Sequence, residues 1–157
     1  MIVEIGHFAM ILALCVAVAQ SIMPMIGAAR NNRAWMAVAS PTAAAQLGLL
    51  TIAFLALTFA YVTSDFSVKN VAENSNSLKP MIYKISGVWG NHEGSMLLWV
   101  LILALFGAIV AGFGRNLPPG LKSRTLAVQA MISVGFLLFM VLTSNPFDRL
   151  VPAPLDG

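Results

Sequence analysis

The sequence predicts an all-α, polytopic membrane protein with four transmembrane helices. Of its 157 residues, 59% are hydrophobic and only 10% are charged, whereas a soluble domain carries about 25% charged residues. The charged residues leave four charge-free intervals, at residues 5–29, 34–64, 94–114 and 125–147. Each interval can supply the about 20 residues with which a helix crosses a bilayer. A helix is also the element that satisfies its own backbone polar groups in lipid.

The first predicted span covers residues 5–29. The N-terminal stretch "MIVEIGHFAM" carries Glu4 where a secretory signal peptide carries lysine or arginine. We therefore expect this segment to stay as a membrane anchor without being cleaved. The single cysteine, Cys15, lies inside the span, which excludes a disulfide or a CxxC redox pair within the chain. We expect Cys15 to be packed as a small hydrophobic residue.

The second charge-free interval is too long to lie entirely in the membrane. Its stretch "SPTAAAQLG" predicts a helix that starts near Ser40 with Pro41 in the first turn. The second span is accordingly predicted at residues 40–63. Trp35 and Tyr61 would then lie near opposite membrane interfaces, where amphipathic rings are enriched.

The remaining segments are two further spans, a loop and a tail. We predict spans at residues 94–114 and 125–145, after a loop at residues 64–93. Hydrophobic residues alternate weakly around the polar turn "ENSNS" in that loop, so a short β-hairpin is expected there. The tail, residues 146–157, contains three prolines and is expected to be extended, since proline cannot continue a helix.

The basic residues around the two short connections predict the orientation of the spans. Five of them flank the connections between the first two spans and between the last two: Arg30, Arg33, Arg115, Lys122 and Arg124. Short loops rich in lysine and arginine stay on the cytoplasmic side. We therefore expect both termini and the loop at residues 64–93 to face outward, to the periplasm in a bacterium.

The stretch "VWGNHEGSMLLW", residues 88–99, is the strongest candidate site. It does not match the HExxH pattern of zinc proteases, because Met96 occupies the position of the second histidine, so no metal site is predicted. As the start of a helix the stretch is well explained. Asn91 can cap the helix with its side-chain oxygen, and Glu93 in the first turn complements the helix dipole.

One face of this helix carries an unusual set of side chains. His92, Ser95, Met96 and Trp99 follow helical spacing, which indicates a face that meets protein or ligand and not lipid. Two interpretations stay open for His92, a structural hydrogen-bonding role and a contact to a cofactor or substrate. The first helical turn and the turn before it contribute three more candidates. Trp89 is expected at the interface, and Gly90 and Gly94 would admit a neighbouring helix or a flat ligand.

The spans lack the ionisable groups of pumps and ion-coupled transporters. No Asp, Glu, Lys or Arg lies in mid-membrane in any of the four spans. The large polar residues within them are Gln20, Gln46 and Gln129, for which we expect hydrogen bonds between helices. A net charge of +3 is too small and too scattered for a nucleic-acid surface, so no nucleic-acid partner is expected.

Several segments together resemble a known family. The stretches "MIVEIGHFAMILAL", "NSNS", "WGNHEGSMLLWVLIL" and "SVGFLLFMVLTSNPFDRL" occur in this order and are similar to the N-terminal region of the CcmF family, the haem lyases of cytochrome c-type biogenesis. The resemblance runs through residues 1–157. Its signature in this sequence comprises Trp89, Gly90, His92, Glu93, Gly94, Ser95 and Trp99.

The resemblance implies a role in cytochrome c maturation. Haem would be the cofactor of the complete protein, and His92 and Trp89 are the residues here that we expect near it. The implied partners are a haem chaperone, thiol-handling and apocytochrome-holding maturation subunits, apocytochrome c, membrane lipid, and the remainder of the chain or a split partner. The implied location is the bacterial inner membrane, or the mitochondrial inner membrane if the gene is organellar.

The family's haem-binding histidines and tryptophan-rich segment have no counterpart in this sequence. We therefore assign no catalytic residue, and expect the chain to be inactive alone, as a truncated sequence or the product of a split gene. Two alternatives remain. The chain is a structural or assembly module without haem contact, or a subunit of an ion-translocating or quinone-linked membrane complex.

Overall fold

Four long helices form the protein. The computed structural model describes all residues from Met1 to Gly157. The long helices are α1 (Ile2–Ala29), α3 (Ala39–Val62), α6 (His92–Phe113) and α7 (Pro119–Leu142), and the short ones are α2 (Arg33–Ala37), α4 (Lys69–Asn74) and α5 (Met81–Gly87). The four segments Ile2–Ala29, Arg33–Val62, His92–Asn116 and Pro119–Leu142 are long and apolar enough to cross a membrane. The predicted all-α fold with four such helices is confirmed.

The long helices pack in the circular order α1, α3, α6, α7. Helix α1 packs most extensively against α7 and α3, and α6 closes the ring between α3 and α7. Alanines line the centre, with Ala13, Ala17, Ala53 and Ala60 almost fully buried. Small side chains let helix backbones approach closely, which replaces the hydrophobic driving force that is absent in lipid.

Three glutamines connect neighbouring helices, as the sequence predicts. Gln20 of α1 donates its Nε2 hydrogen to the carbonyl oxygen of Leu126 in α7, at 3.1 Å. Gln46 of α3 donates to the carbonyl of Ala13 in α1, at 2.6 Å, and Gln129 of α7 donates to a carbonyl of α6. Such interhelical bonds contribute on average about 0.6 kcal/mol each in a membrane protein.

The bundle has two ends of different character. The basic end contains the last turns of α1 and α6 and the first turns of α2, α3 and α7, with five basic residues and no acidic one: Arg30, Arg33, Arg115, Lys122 and Arg124. The opposite end, called the lip end here, contains the first turns of α1 and α6 and residues 64–91. All six acidic residues lie at the lip end or in the tail that folds onto it.

The predicted β-hairpin in residues 64–93 is wrong. This segment forms helices α4 and α5, separated by a turn. Val68 and Val71 are fully buried against the end of the bundle. They are three residues apart, the spacing of one helix face, and the weak alternation in the sequence did not reveal this helical pattern. Pro80 directly precedes α5, where its fixed φ angle suits a helix start.

Two single-residue positions differ from what the sequence suggested. Tyr61 lies one residue before the end of its membrane-crossing segment, near the expected interface, but its ring is not at the surface. It is fully buried, because α4 folds back over the end of α3 and supplies a hydrogen-bond partner for its hydroxyl, Asn70. Cys15 is exposed on the outer surface of α1 and is not packed inside, since the neighbouring small residue Ala13 occupies the buried face.

The tail folds back over the lip end. The amide of Lys69 donates to the carbonyl of Asp148, and the amide of Leu150 donates to the carbonyl of Ser67, both at 2.8 Å. Phe147 is buried and stacks on the ring of His7. This two-bond pairing is the only β-like contact in the chain.

Candidate functional site

Asn91 organises the turn that leads into α6. Its Oδ1 accepts a hydrogen bond from the amide of Gly94 at 2.8 Å, which is the helix cap that the sequence predicts. Its Nδ2 donates to the carbonyl of Gly87 at 2.9 Å and to the hydroxyl of Tyr61 at 3.0 Å. One amide thus fixes both the start of α6 and its position relative to the end of α3.

A second amide, Asn70 of α4, extends this network. Its Nδ2 donates to Asn91 Oδ1 at 2.8 Å and to Glu93 Oε2 at 3.2 Å. Its Oδ1 accepts from the Tyr61 hydroxyl at 2.6 Å. Glu93 therefore has a structural partner in addition to its favourable place at the N-terminus of α6. The network holds α3, α4 and α6 together beneath the surface of the lip.

Gly94 is required by close packing of backbone on backbone. A Cβ atom at Gly94 would overlap the carbonyl oxygen of Val88, whereas one at Gly90 would lie 3.4 Å from the nearest atom, the carbonyl oxygen of Ser86. The close approach at Gly94 is made by the preceding turn of the same chain. At Gly94 the carbonyl of Val88 occupies the space that was expected to admit a neighbouring helix or a flat ligand. For Gly90, which is exposed and has only ordinary contacts, that expectation stays a prediction.

An open apolar groove lies between α6 and α7. Its volume is about 530 Å³. One wall consists of the four residues of the predicted stripe on α6: His92, Ser95, Met96 and Trp99. The other wall consists of five residues of α7: Met131, Ile132, Gly135, Phe136 and Phe139. The stripe therefore does share one face with a common neighbour. Trp99 is nevertheless 60% exposed, so it borders an open groove and is not enclosed between helices.

His92 lies where the groove reaches the lip end. The edge of its ring meets the ring of Phe139, with the ring centres 6.3 Å apart and an interplanar angle of 79°. Its Nδ1 is 3.5 Å from the hydroxyl of Ser144, and its Nε2 makes no hydrogen bond to the protein. An exposed imidazole with one free nitrogen can bind a metal ion or exchange a proton.

Two other candidates lie apart from the groove. Trp89 is 43% exposed in the turn before α6 and is not part of the groove wall. His7 faces the tail, where its Nε2 is 3.0 Å from Asn145 Nδ2. The two histidines thus have separate partners. The chain brings together no group of three or more His, Cys, Asp or Glu side chains that could hold a metal ion.

Sequence reasoning missed a charged cluster around Arg149. Its guanidinium donates from Nε to Glu4 Oε1 at 3.1 Å and from Nη1 to Asp65 Oδ2 at 3.3 Å. The hydrogen bond to Glu4 is the main cause that raises the pKa of Arg149 above its ordinary value. The cluster ties the tail to the starts of α1 and of residues 64–91. The only sequence signal was that both carboxylates border spans on the same predicted side.

Comparisons with known proteins agree with one another. The family described as "Cytochrome C assembly protein" matches residues 89–155. Among curated relatives, the "Cytochrome c-type biogenesis protein ccl1" of Rhodobacter capsulatus is 64% identical over the whole chain, which covers 24% of that protein. The CycK protein of Rhizobium meliloti is 60% identical, with 23% of it covered. The CcmF protein of Pseudomonas aeruginosa is 54% identical, with 24% covered.

A solved structure supports the same assignment. The structure of "Cytochrome c Heme Lyase CcmF" superimposes with a TM-score of 0.89 at 27% identity, over 96% of this chain and 25% of that one. This chain spans about a quarter of the length of these relatives. It belongs to the CcmF family of cytochrome c-type biogenesis proteins and corresponds to their N-terminal region.

Proposed function

We propose that this chain is the N-terminal part of a membrane haem lyase assembly, which delivers and attaches haem to apocytochrome c. The observation that carries the proposal is the groove between α6 and α7, with His92 where it reaches the lip end. Its volume is in the range typical of small-molecule sites. It combines apolar walls with one placed polar group, which is also typical of such sites.

The residues of the groove fit haem as cargo. Trp99, Phe136 and Phe139 offer aromatic surface to a flat apolar macrocycle. The free Nε2 of His92 is the nitrogen that could meet the iron, since a histidine is a common axial ligand of haem. The side of the groove that is open must be closed by another part of the assembly. This chain supplies both walls, α6 and α7, but leaves that side of the groove open.

The orientation of the bundle supports chemistry outside the cytoplasm. Five basic residues and no acidic one lie at the basic end, and the positive-inside preference directs that end to the cytoplasm. The lip end and His92 would then face the periplasm, with the protein in the bacterial inner membrane. The proposed partners there are a haem chaperone, the thiol-handling and apocytochrome-holding subunits, and apocytochrome c.

A structural role is the second candidate, and the Asn91 network favours it for part of the signature. Glu93 and Gly94 act in the fold of the lip through Asn70 and Val88. Trp89, His92 and Trp99 are exposed, and the contacts of His92 with Ser144 and Phe139 leave its Nε2 without a partner in the fold. We therefore divide the signature between the two roles. A role in ion translocation is disfavoured, because the spans contain no Asp, Glu, Lys or Arg in mid-membrane.

The test is holocytochrome c formation by His92→Ala and Trp89→Ala variants of the full-length protein. We expect less holocytochrome c at unchanged protein abundance and unchanged co-purification of partner subunits. Ser86→Ala is the matched control, since Ser86 lies in α5 of the lip and outside the groove. Normal holocytochrome levels in both site variants would refute the site. Equal loss of protein and partner capture would assign these residues to assembly instead.

A further inference from the structure

The basic end of the bundle contains a cavity that the proposed function does not use. It has a volume of about 390 Å³ and lies where the second and fourth membrane-crossing segments begin and the third one ends. Its lining includes three cationic side chains, Arg33, Arg115 and Lys122, and two hydroxyls, Ser40 and Ser123. We propose that this cavity binds the phosphate group of an anionic phospholipid.

The three cations have no acidic partner. The ion pairs of the protein all involve Met1, Lys69 or Arg149, at the other end. Lys122 donates one hydrogen bond from Nζ, to the carbonyl of Ala111 at 2.8 Å. An ammonium carries three donors, so two remain. Three positive groups that share one cavity without a counter-charge repel one another, and a phosphate would remove that repulsion while accepting their hydrogen bonds.

The cavity has a packed floor and is more than a patch of surface charge. Met36, Ala39 and Ser123 are buried, and Ser123 is fixed by a hydrogen bond from its hydroxyl to the carbonyl of Pro119 at 2.7 Å. The hydroxyl of Ser40 makes no hydrogen bond within the protein and can donate to a phosphate oxygen. The first turn of α7 contributes Pro119, so the positive end of its helix dipole adds to the same preference.

Apolar surface beside the cavity argues for a lipid over a free phosphate ester. Phe113 is 86% exposed and directly precedes the lining residue Gly114, and Leu121 is 54% exposed and directly precedes Lys122. Leu117 lines the cavity itself and is 40% exposed. If the lipid headgroup binds among the three cations, the acyl chains of that lipid would extend toward the hydrocarbon along Phe113, Leu117 and Leu121.

The experiment is native mass spectrometry of the full-length protein, released from nanodiscs that contain equal amounts of phosphatidylglycerol and phosphatidylcholine with the same acyl chains. We expect selective retention of phosphatidylglycerol. The test variant is Arg33→Gln/Arg115→Gln, and the matched control is Arg30→Gln/Arg124→Gln, which removes two exposed charges from the same end outside this cavity. Both double variants lose the general attraction of two basic residues for anionic lipid, about fivefold per residue. Only the test variant also loses charge-assisted hydrogen bonds to the phosphate, so its retention of phosphatidylglycerol should fall at least about tenfold further than that of the control.

Each other result overturns a defined part of the proposal. Equal loss in both double variants would mean a general attraction of the basic end and no site. Equal retention of the two lipids would exclude recognition of charge. Displacement of phosphatidylglycerol by millimolar glycerol 3-phosphate, with no effect of acyl-chain length, would identify a soluble phosphate ester as the ligand. Arg33→Lys/Arg115→Lys keeps the charge and should retain most of the selectivity, which guards against a loss caused by altered folding.

Discussion

Asn91 Nδ2 and the hydroxyl of Tyr61 lie 3.0 Å apart and join the start of α6 to the end of α3. The same hydroxyl donates to Asn70 Oδ1 at 2.6 Å. The hydroxyl of Tyr61 in α3 is therefore hydrogen-bonded both to α4 and to the start of α6. Tyr61 is completely buried, and buried polar groups that lose a partner are costly. The position of the lip, and with it of His92, depends on this small network.

Replacing Tyr61 with phenylalanine should destabilise the protein. The change removes one hydroxyl and leaves the acceptor Oδ1 of Asn70 unpaired, which costs about 1–3 kcal/mol. Asn91 Nδ2 keeps the carbonyls of Gly87 and Val88 as partners. The measurement is thermal unfolding of the purified protein in detergent. Tyr83→Phe is the control, because Tyr83 is 59% exposed and its hydroxyl bonds to nothing in the protein. Equal unfolding temperatures for the two variants would contradict a structural role for the network.

Adding a methyl group at Gly94 should damage the lip. The new Cβ would overlap the carbonyl of Val88, so the turn or the first turn of α6 must move. Overpacking of this kind costs about 1–3 kcal/mol, and we expect lower abundance and a lower unfolding temperature. Gly112→Ala, also in α6, has open space around its Cβ and should be neutral or stabilising by up to about 1 kcal/mol. If the two variants behave alike, the contact with Val88 does not constrain Gly94.

Local and long-range features differed in how well the sequence predicted them. The cap by Asn91 was predictable because it acts within three residues, and the long helices because their length follows from charge-free runs. The burial of Tyr61 depends on α4 folding back, and the pairing of Arg149 with Glu4 joins residues 145 positions apart. The stripe from His92 to Trp99 was predictable from helical spacing in the sequence. The open groove beside it was not, because it depends on which residues of α7 face the stripe.

Neutralising Arg149 should loosen the tail without unfolding the bundle. Arg149 pairs with Glu4 and Asp65, and the adjacent backbone pairs with Ser67. In Arg149→Gln we expect the amides of Lys69 and Leu150 to exchange with deuterium roughly two- to tenfold faster, by local opening. Lys69→Gln is a control, since Lys69 and Glu73 are exposed and 4.0 Å apart. Unchanged exchange in Arg149→Gln would mean that the backbone pairing alone holds the tail.

Filling the groove between α6 and α7 should weaken haem retention while sparing the fold. A Cβ at Gly135 would meet no atom within 4 Å, and Gly135 lines the groove, so a leucine there would extend its side chain into groove space. We expect Gly135→Leu in the full-length protein to retain haem roughly tenfold less well, the order by which a misfitting apolar group acts in an apolar pocket. Haem absorbance of the purified protein, titrated with haemin, measures this directly.

The control for this change is Gly48→Leu in α3, which also has open space at its Cβ and lies outside the groove. Both substitutions replace glycine by a better helix former, so both should leave the unfolding temperature unchanged or raise it. A selective loss of haem in Gly135→Leu, with His92 untouched, would show that the groove itself accommodates the macrocycle. Full haem retention by Gly135→Leu would place the haem elsewhere in the assembly and leave His92 a role at the lip alone.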